Sequence, residues 1–257
     1  MTKNLKSWIY PLFIVGVFLI LSNSCKKNED GTTSDLTANG NGIIFNPNLK
    51  YGTVSDKDGN IYKTVTIGIQ TWMAENLKTT KYNDGTAIPL ITDNTAWKNL
   101  TTPSYCWYKN DESTYKNSYG ALYNWYSVNS GNLCPSGWHA PSDNEWSILT
   151  SYLGGEFIAG GKLKETGTSH WLSPNTGATN DIGFSALPGG IRAEAGTFSY
   201  LGFYGHWWST TDTNIPGVSI VKDWAWYRTL RNDGIGVDRS SYYWNKRFAY
   251  SVRCVKD

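Results

Sequence analysis

The chain has 257 residues, of which 23 are basic and 21 acidic, so its formal net charge at neutral pH is +2. This nearly even balance argues against binding to nucleic acid or to an anionic membrane surface, since both require a strongly basic protein surface. With 13 Trp and 17 Tyr, the chain is rich in aromatic residues and long enough to bury one sizeable core.

The first 24 residues have the pattern of an export signal. Two lysines precede an apolar run from Trp8 to Leu21, which is too short to span a bilayer. Small polar residues then lead into Cys25, as in a bacterial lipoprotein cleavage site, although Leu21 lies one position further from the cysteine than is usual. We expect residues 1–24 to be a lipoprotein signal peptide and Cys25 to be lipidated; the alternative is an ordinary signal peptide with an incidental cysteine.

The residues after the signal predict a tethered protein. Residues 25–45 are rich in Asn, Gly, Thr and Asp, and a segment with so few apolar groups is expected to be a flexible linker. It begins with the charged tract Lys26-Lys-Asn-Glu-Asp30, which is similar to signals that send some lipoproteins to the cell surface. We therefore expect a lipid-anchored protein of the outer membrane or cell surface, with its folded domain in residues 46–257.

The first half of the domain mixes strand and helix patterns. Asp58-Gly59 predicts a β-hairpin with a strand at Tyr62–Ile67, and Ile69–Leu77 reads as a further strand. Thr92–Leu100 predicts a short helix, and Tyr119–Val128 predicts a helix with large apolar residues at helical spacing.

A capped helix follows at Ser142, which forms an S-x-x-E capping box with Glu145. Gly154-Gly155 is expected to end this helix. Its apolar face is predicted to consist of Trp146, Leu149, Tyr152 and Leu153.

Short aromatic runs separated by glycine predict twisted strands from Gly183 onward. In the last run, alternation places Phe248, Tyr250, Val252 and Cys254 on one face. The predicted strands are Ile191–Tyr204, Trp207–Ser209, Trp224–Leu230, Ile235–Val237 and Phe248–Val255.

Three cysteines remain after Cys25, and an odd number in an oxidising compartment allows one internal bridge and leaves one thiol. We expect a Cys134–Cys254 bond, because it closes a long loop that the chain-entropy model values at roughly 4–5 kcal/mol. A Cys106–Cys134 bond is the alternative. Cys106 lies in an apolar strand-like run, where a free thiol is expected to be a buried core group.

Several aromatic motifs carry a family resemblance. They are Tyr62-Lys-Thr-Val-Thr-Ile-Gly, Gln70-Thr-Trp-Met-Ala-Glu-Asn-Leu77, Gly120-Ala-Leu-Tyr-Asn-Trp-Tyr126, Cys134-Pro-Ser-Gly-Trp-His139, Leu187-Pro-Gly-Gly190 and Ser251-Val-Arg-Cys254. Over residues 50–257 they resemble a domain of the Fibrobacter succinogenes major paralogous (FISUMP) family. The resemblance implies an exported protein with an α+β, C-type-lectin-like domain, in which two main helices pack against a small twisted antiparallel sheet with long loops. It implies no activity, so no catalytic residue is carried over.

Enzyme chemistry is the competing class, since the resemblance extends distantly to the formylglycine-generating-enzyme fold. Those enzymes work through a pair of cysteines near the C-terminus, whereas Cys254 is the only cysteine after Cys134. No G-x-S-x-G nucleophile elbow is present, and no two of His139, His170 and His206 have an i, i+4 metal-binding spacing. We expect His139 to make a structural hydrogen bond, and the chain to have no catalytic residue and no cofactor.

A calcium site is a second alternative. Asp56-Lys-Asp-Gly-Asn60 resembles the beginning of an EF-hand loop, but Ile61 and Ile67 occupy the positions that need Gly and Glu. A hairpin turn explains the same residues. The sequence also lacks the Glu-Pro-Asn and Trp-Asn-Asp triplets of calcium-dependent lectins, so we expect no metal ligands.

Aromatic residues near the C-terminus predict a binding surface. Because successive strand residues point to opposite faces, Trp207 and Trp208 are not expected to face inward together on a one-sided sheet. Exposed aromatic rings stack on sugars or peptide side chains, and nearby charged groups fix the orientation. The alternative is that these rings are buried under neighbouring loops. The candidate ligand-binding residues are Trp207, Trp208, Tyr242, Tyr243, Trp244, Asp212, Asp238 and Arg239.

The sequence thus predicts a cell-envelope lipoprotein with a non-enzymatic role in binding or adhesion. Its expected partners are the membrane, through the lipid anchor, and a glycan or protein ligand, with no nucleic acid. The alternatives are an enzyme of the formylglycine-generating-like fold and a structural envelope component without a discrete ligand.

Overall fold

The computed structural model describes residues 42–213, 223–241 and 245–257. The expected signal peptide and Cys25 lie outside the described residues. The helices are α1 (Asn94–Lys98), α2 (Glu112–Tyr119), α3 (Trp125–Val128), α4 (Asp143–Tyr152) and α5 (Glu156–Leu163). The strands are β1 (Gly52–Ser55), β2 (Ile61–Ile67), β3 (Gln70–Met73), β4 (Tyr105–Cys106), β5 (Leu122–Asn124), β6 (Trp138–His139), β7 (Gly189–Arg192), β8 (Phe198–Leu201), β9 (Tyr204–Asp212), β10 (Ala225–Arg231), β11 (Asp238–Ser240), β12 (Ala249–Tyr250) and β13 (Val255–Lys256).

These strands form curled antiparallel sheets, and the helices between them are few and short. The strand orders are β1-β2-β3-β13-β6, β4-β5-β12-β7-β8 and β11-β10-β9. The fold is therefore mixed, with helices and antiparallel sheets around aromatic-rich cores. Among the described helices, none has the length and apolar character needed to cross a membrane.

The hairpin predicted at Asp58-Gly59 is confirmed, since β1 and β2 pair around this turn. The Asp56 carboxylate accepts hydrogen bonds from the backbone N–H groups of Asp58 and Asn60, each at 2.9 Å. Its second oxygen accepts one from Tyr62 Oη at 2.5 Å. The acidic residues that resembled a calcium loop thus organise the turn itself.

The helix predicted at Ser142 is also confirmed. The Ser142 hydroxyl accepts from the Glu145 backbone N–H, and the Glu145 carboxylate accepts from the Ser142 backbone N–H, which completes the capping box. The prediction that Tyr152 shares the apolar face is wrong, because this residue is 64% exposed. Six residues separate it from buried Trp146, which places it about 240° around the helix.

The helix predicted at Tyr119–Val128 is wrong for most of its length. The chain turns at Gly120, whose φ is 74°, and then forms strand β5 before the single turn of α3. A Cβ at Gly120 would lie 2.6 Å from the Leu77 carbonyl oxygen, so the turn needs glycine. Strand β5 is buried along its whole length, and a continuously buried run has no alternation to distinguish it from a helix.

The single strand predicted at Phe248–Val255 is in fact two short strands in different sheets. β12 pairs with β5 and β7, whereas β13 pairs with β3 and β6. The crossing segment between them is buried on all sides, including Arg253 at 0% exposure. The Arg253 guanidinium donates to Asn76 Oδ1 and to the carbonyl oxygens of Phe184 and Ser185, and burial lowers its pKa to about 9.

The expected linker ends earlier than residue 45. Ile43 and Phe45 are each 1% exposed and belong to the core that includes Trp72 and Trp146. The Ile44 backbone N–H donates to buried Glu165 at 2.6 Å. Two apolar residues at alternate positions are enough to bring residues 42–45 into the folded domain.

The structure joins Cys134 to Cys254, with their Cα atoms 6.0 Å apart. This is the pair that the sequence favoured over Cys106–Cys134. Cys106 is free and buried, and burial raises the pKa of its thiol to about 12. The bond connects the segments that lead into β6 and β13, which are neighbours in one sheet.

Candidate functional site

The two tryptophans predicted to flank a ligand are both buried. Trp207 and Trp208 are 1% and 0% exposed. Trp207 Nε1 donates to Asn76 Oδ1 at 3.0 Å, and Trp208 Nε1 donates to the Tyr123 carbonyl oxygen at 2.9 Å. The expectation that one of them is exposed is wrong, because core side chains cover β9 on both faces here. Neither indole is accessible to a ligand at the surface.

The other predicted residues have different positions. Asp212 accepts a hydrogen bond from Lys246 Nζ at 2.8 Å, in an ion pair that lies away from the cleft described below. Tyr242, Tyr243 and Trp244 lie outside the described residues. Asp238 and Arg239 are exposed on β11.

Asp238 and Arg239 border a cleft of about 520 Å³ on one face of the β9–β10–β11 sheet. We call it the sheet-face cleft. Sequence reasoning identified only these two of its residues. Its described lining consists of Tyr200, Tyr204, His206, Tyr227, Thr229, Arg231, Asp238, Arg239 and Ser240.

Strand register explains why these residues meet. Tyr204 lies opposite Arg231, and His206 lies opposite Thr229, in the β9–β10 pair. Thr229 in turn lies opposite Asp238 on β11. Alternate residues of a strand share a face, so the spacing of Tyr204 and His206 was the available signal.

His206 forms part of the cleft floor and is neutral. Its ring stacks on Tyr250, with centroids 5.1 Å apart, and its Nδ1 lies 2.9 Å from Thr229 Oγ1. Burial lowers the pKa of His206 to about 3. A histidine this weakly basic is suited to hydrogen bonding rather than to proton abstraction at neutral pH.

Tyr200 forms the aromatic rim of the cleft in a strained conformation. Its φ is 67°, a region that aromatic residues rarely adopt, and its side chain is 43% exposed. Its ring packs against Tyr204, with centroids 5.0 Å apart and planes at 59°. A strained conformation persists only where the surrounding structure holds the residue in place, and strained residues of this kind cluster at ligand-binding and active sites.

The two arginines at the rim each pair with an acidic neighbour, and Asp143 also pairs with buried Arg228. Arg231 donates two hydrogen bonds to Asp233, at 3.0 and 3.2 Å. Arg239 donates to Asp143 at 2.7 Å, and its guanidinium carbon lies 3.8 Å from the Trp226 ring centroid. Burial alone would raise the pKa of Asp143, but hydrogen bonds from arginine outweigh it and lower that pKa.

Asp238 differs from these residues, since it is exposed and forms no ion pair within the described residues. Its carboxylate lies on the same face of the sheet as Thr229 and Ser240. The cleft therefore combines three tyrosine rings, neutral hydrogen-bonding groups and one carboxylate that forms no ion pair within the described residues.

The two remaining histidines lie outside the cleft. His139 contacts Glu145 and Asp257, and His170 Nδ1 lies 2.7 Å from buried Glu165. The described residues contain no group of three or more His, Cys, Asp or Glu arranged to hold a metal ion.

The family model of the Fibrobacter succinogenes major domain matches residues 65–256, which include every described residue of the sheet-face cleft. This match covers most of the chain, and the chain belongs to that family. The comparisons with curated proteins and with solved structures gave no match.

Proposed function

We propose that this member of the Fibrobacter succinogenes major domain family is a lipid-anchored envelope protein that binds a glycan in the sheet-face cleft. The observation that carries the proposal is one sheet face on which aromatic rings border neutral hydrogen-bonding groups. The volume of the sheet-face cleft, about 520 Å³, falls in the range of roughly 300–1,000 Å³ that is typical of small-ligand sites.

Sugar chemistry fits this arrangement. A pyranose has an apolar C–H face, which stacks on an aromatic ring, and hydroxyl groups at its edge. Tyr200 and Tyr204 supply the rings, while Thr229, Asp238 and Ser240 supply donors and acceptors on the adjacent strands. A carboxylate that accepts from sugar hydroxyls forms the stronger, charge-assisted kind of hydrogen bond.

The charge distribution favours a neutral glycan over an acidic one. Arg231 is already paired with Asp233. Arg239 is paired with Asp143, which buried Arg228 shares, so an anionic ligand would compete with a carboxylate at each rim arginine. The carboxylate of Asp238, which forms no ion pair within the described residues, would also repel an anion. Binding of a neutral ligand should change little with ionic strength.

The cleft supports binding rather than hydrolysis. Glycosidases generally need two carboxyl groups flanking the scissile bond, and Asp238 is the only acidic residue in the described lining. His206 is buried and weakly basic, so it is a poor substitute for a second catalytic group.

We also propose that the protein is tethered through a lipid on Cys25. The short apolar run before this cysteine and the polar segment after it support the anchor. Replacing Cys25 with Ser should move the protein from the membrane fraction to the soluble fraction or leave the signal uncleaved. Unchanged membrane partitioning of this variant with its signal cleaved would contradict the anchor.

A C-type-lectin-like architecture is a further part of the proposal. It is supported by the side-by-side packing of α4 and α5, by the antiparallel sheets and by the long irregular segments between them. A matching topology in an experimental structure would test it.

A glycan array tests the ligand class, with the chain from residue 26 onward as the probe. We expect binding to neutral polysaccharides, and we expect it to persist in 0.5 M salt, where the Debye length is below ~5 Å and exposed charges are strongly screened. Asp238→Asn should weaken it, whereas Asp181→Asn, at an exposed position outside the cleft, should not. Binding confined to sulfated or sialylated glycans, or to proteins alone, would contradict the neutral-glycan proposal.

A further inference from the structure

We infer that the chain has a second binding site, which takes a small amphipathic carboxylate. The site is a pocket of about 390 Å³ between residues 46–53 and strand β2, and we call it the N-terminal pocket. It shares no lining residue with the sheet-face cleft, so it is independent of the proposed glycan site. Its lining also precedes residue 65, where the family match begins.

The walls of the N-terminal pocket are largely apolar, and Tyr51 among them is held in place by its neighbours. Pro47, Leu49 and Tyr51 supply apolar surface. The Tyr51 ring packs edge-on against buried Phe45, with centroids 5.5 Å apart, and its hydroxyl accepts from the Asn46 backbone N–H at 3.1 Å. A preformed apolar wall of this kind suits a hydrocarbon or aromatic body, because binding requires little reorganisation.

The charge at the pocket is positive and is not neutralised. Lys50 and Lys63 both line it, and none of its eight lining residues is acidic. Neither lysine forms an ion pair within the described residues, although seven other lysines or arginines of the same domain do so in Asp or Glu pairs such as Lys246–Asp212. Glu75, which accepts the Lys63 backbone N–H at 2.9 Å, is 2% exposed and does not line the pocket.

The Lys63 ammonium is positioned by aromatic rings. Its Nζ lies 4.1 Å from the Phe45 ring centroid and 5.3 Å from that of Tyr51. These cation–π contacts hold the group without consuming all three of its N–H donors. The remaining donors can reach a carboxylate at the pocket, with Lys50 as the second cation. Apolar walls with two unpaired lysines match a ligand that has an apolar body and one carboxylate.

Calorimetric titration of the chain from residue 26 onward with octanoate tests the inference, with octan-1-ol as the uncharged ligand of the same chain length. We expect saturable binding of octanoate and at least tenfold weaker binding of octan-1-ol, because a charge-assisted hydrogen bond is lost. Lys63→Met and Lys50→Met should each weaken octanoate binding severalfold. Lys57→Met removes the same charge from an exposed turn outside the pocket and should leave octanoate binding unchanged.

The absence of saturable octanoate binding would overturn the inference, and so would equal weakening by Lys57→Met and by the two pocket variants. Equal affinity for octanoate and octan-1-ol would also overturn it, since the lysines would then be irrelevant. Lys50 is exposed, so Lys50→Met remains a valid test if Lys63→Met does not fold. Loss of glycan binding in the Asp238→Asn variant with octanoate binding retained would show that the two sites are separate.

Discussion

At the scale of single residues, His139 is held between two carboxylates. Its Nδ1 lies 2.6 Å from Asp257 Oδ1, and its Nε2 lies 2.7 Å from Glu145 Oε1. A neutral imidazole has one N–H, so only the protonated ring can donate to both. Burial would lower the pKa of His139, but the hydrogen bonds to Asp257 and Glu145 outweigh it and raise that pKa above 6.5.

A pH dependence of stability follows from this contact. Because the pKa of His139 is raised on folding, its contribution is complete below pH 6.5 and is lost as the pH rises through the folded pKa. The pKa of Glu145 is lowered from 4.5, despite burial, by hydrogen bonds from Ser142 and His139, so its contribution is lost as the pH falls through a folded pKa below 4.5.

His139→Gln should therefore lower the melting temperature most between pH 4.5 and pH 6.5 and have little effect near pH 9. Because His139 and its two carboxylate partners are partly exposed, we expect the substitution to cost at most ~1 kcal/mol of stability, which lowers the melting temperature by about 2–4 °C. Scanning calorimetry of both proteins at several pH values measures the difference. An equal loss at pH 6 and pH 9 would show that charge on His139 contributes nothing.

Residues whose surroundings are local were predictable, and residues whose surroundings are assembled from distant segments were not. The Ser142 capping box depends on four consecutive residues, so the pattern alone identified it. The burial of Trp207 and Trp208 depends on side chains from both neighbouring cores. Nothing in the local sequence distinguishes a strand that is covered on one face from a strand covered on both.

At the scale of secondary-structure elements, too, those that depend on local signals were predictable and those that depend on distant segments were not. The hairpin at Asp58-Gly59 and helix α1 were predicted, since turn residues and helix caps act within a few positions. Helix α5 was not predicted, because two glycines lie in its middle. Those glycines have a packing role that only the folded chain reveals.

The backbone of α5 touches two other segments at its glycines. A Cβ at Gly160 would lie 2.0 Å from the Gly236 carbonyl oxygen, and one at Gly161 would lie 2.3 Å from the Gly177 carbonyl oxygen. The Gly161 backbone N–H also donates to Ile235 at 2.9 Å. This close approach fixes the segment that leads into β11 and thereby supports one edge of the sheet-face cleft.

Gly160→Ala should destabilise the protein by at least ~2 kcal/mol, since the added methyl group collides with backbone. On helix propensity alone, the same change would stabilise α5 by about 1 kcal/mol. Gly234→Ala is the matched control, because its added Cβ meets nothing closer than 3.8 Å. Guanidinium unfolding measures both variants, and equal stability of the two would contradict the packing explanation.

At the scale of the whole molecule, the Cys134–Cys254 bond closes a loop of 120 residues. The adjoining strands β6 and β13 already pair in the folded state, with Val255 opposite His139. The bond therefore acts mainly by restricting the unfolded chain, for which the chain-entropy model gives roughly 4–5 kcal/mol.

Replacing both bonded cysteines with Ala should lower the free energy of unfolding by roughly that amount. Urea unfolding with and without reductant measures it. Reductant should destabilise the natural chain and leave the double variant unchanged, because buried Cys106 forms no bond. A double variant as stable as the natural chain would contradict this role for the disulfide.

The location of the candidate site was predictable only to within a region. The sequence indicated the segment between Tyr204 and Trp244, and the sheet-face cleft lies largely within it. Its residues were mostly missed, because they come from four strands, and the register of β9, β10 and β11 sets which of their side chains meet. Tyr200 stands out only once its positive φ is known.

The most direct test of the central claim, that this protein binds a glycan in the sheet-face cleft, is the affinity of a Tyr200→Gly variant for a neutral glycan identified on the array. Glycine relieves the positive φ of 67°, so the variant should melt at the same temperature as the natural chain or higher. Its affinity should nevertheless fall about tenfold, because a stacking ring is lost. Tyr152→Ala, which removes an exposed tyrosine outside the cleft, should leave the affinity unchanged. Equal affinities of the natural chain and the stably folded Tyr200→Gly variant, or the absence of any neutral glycan ligand, would contradict the claim.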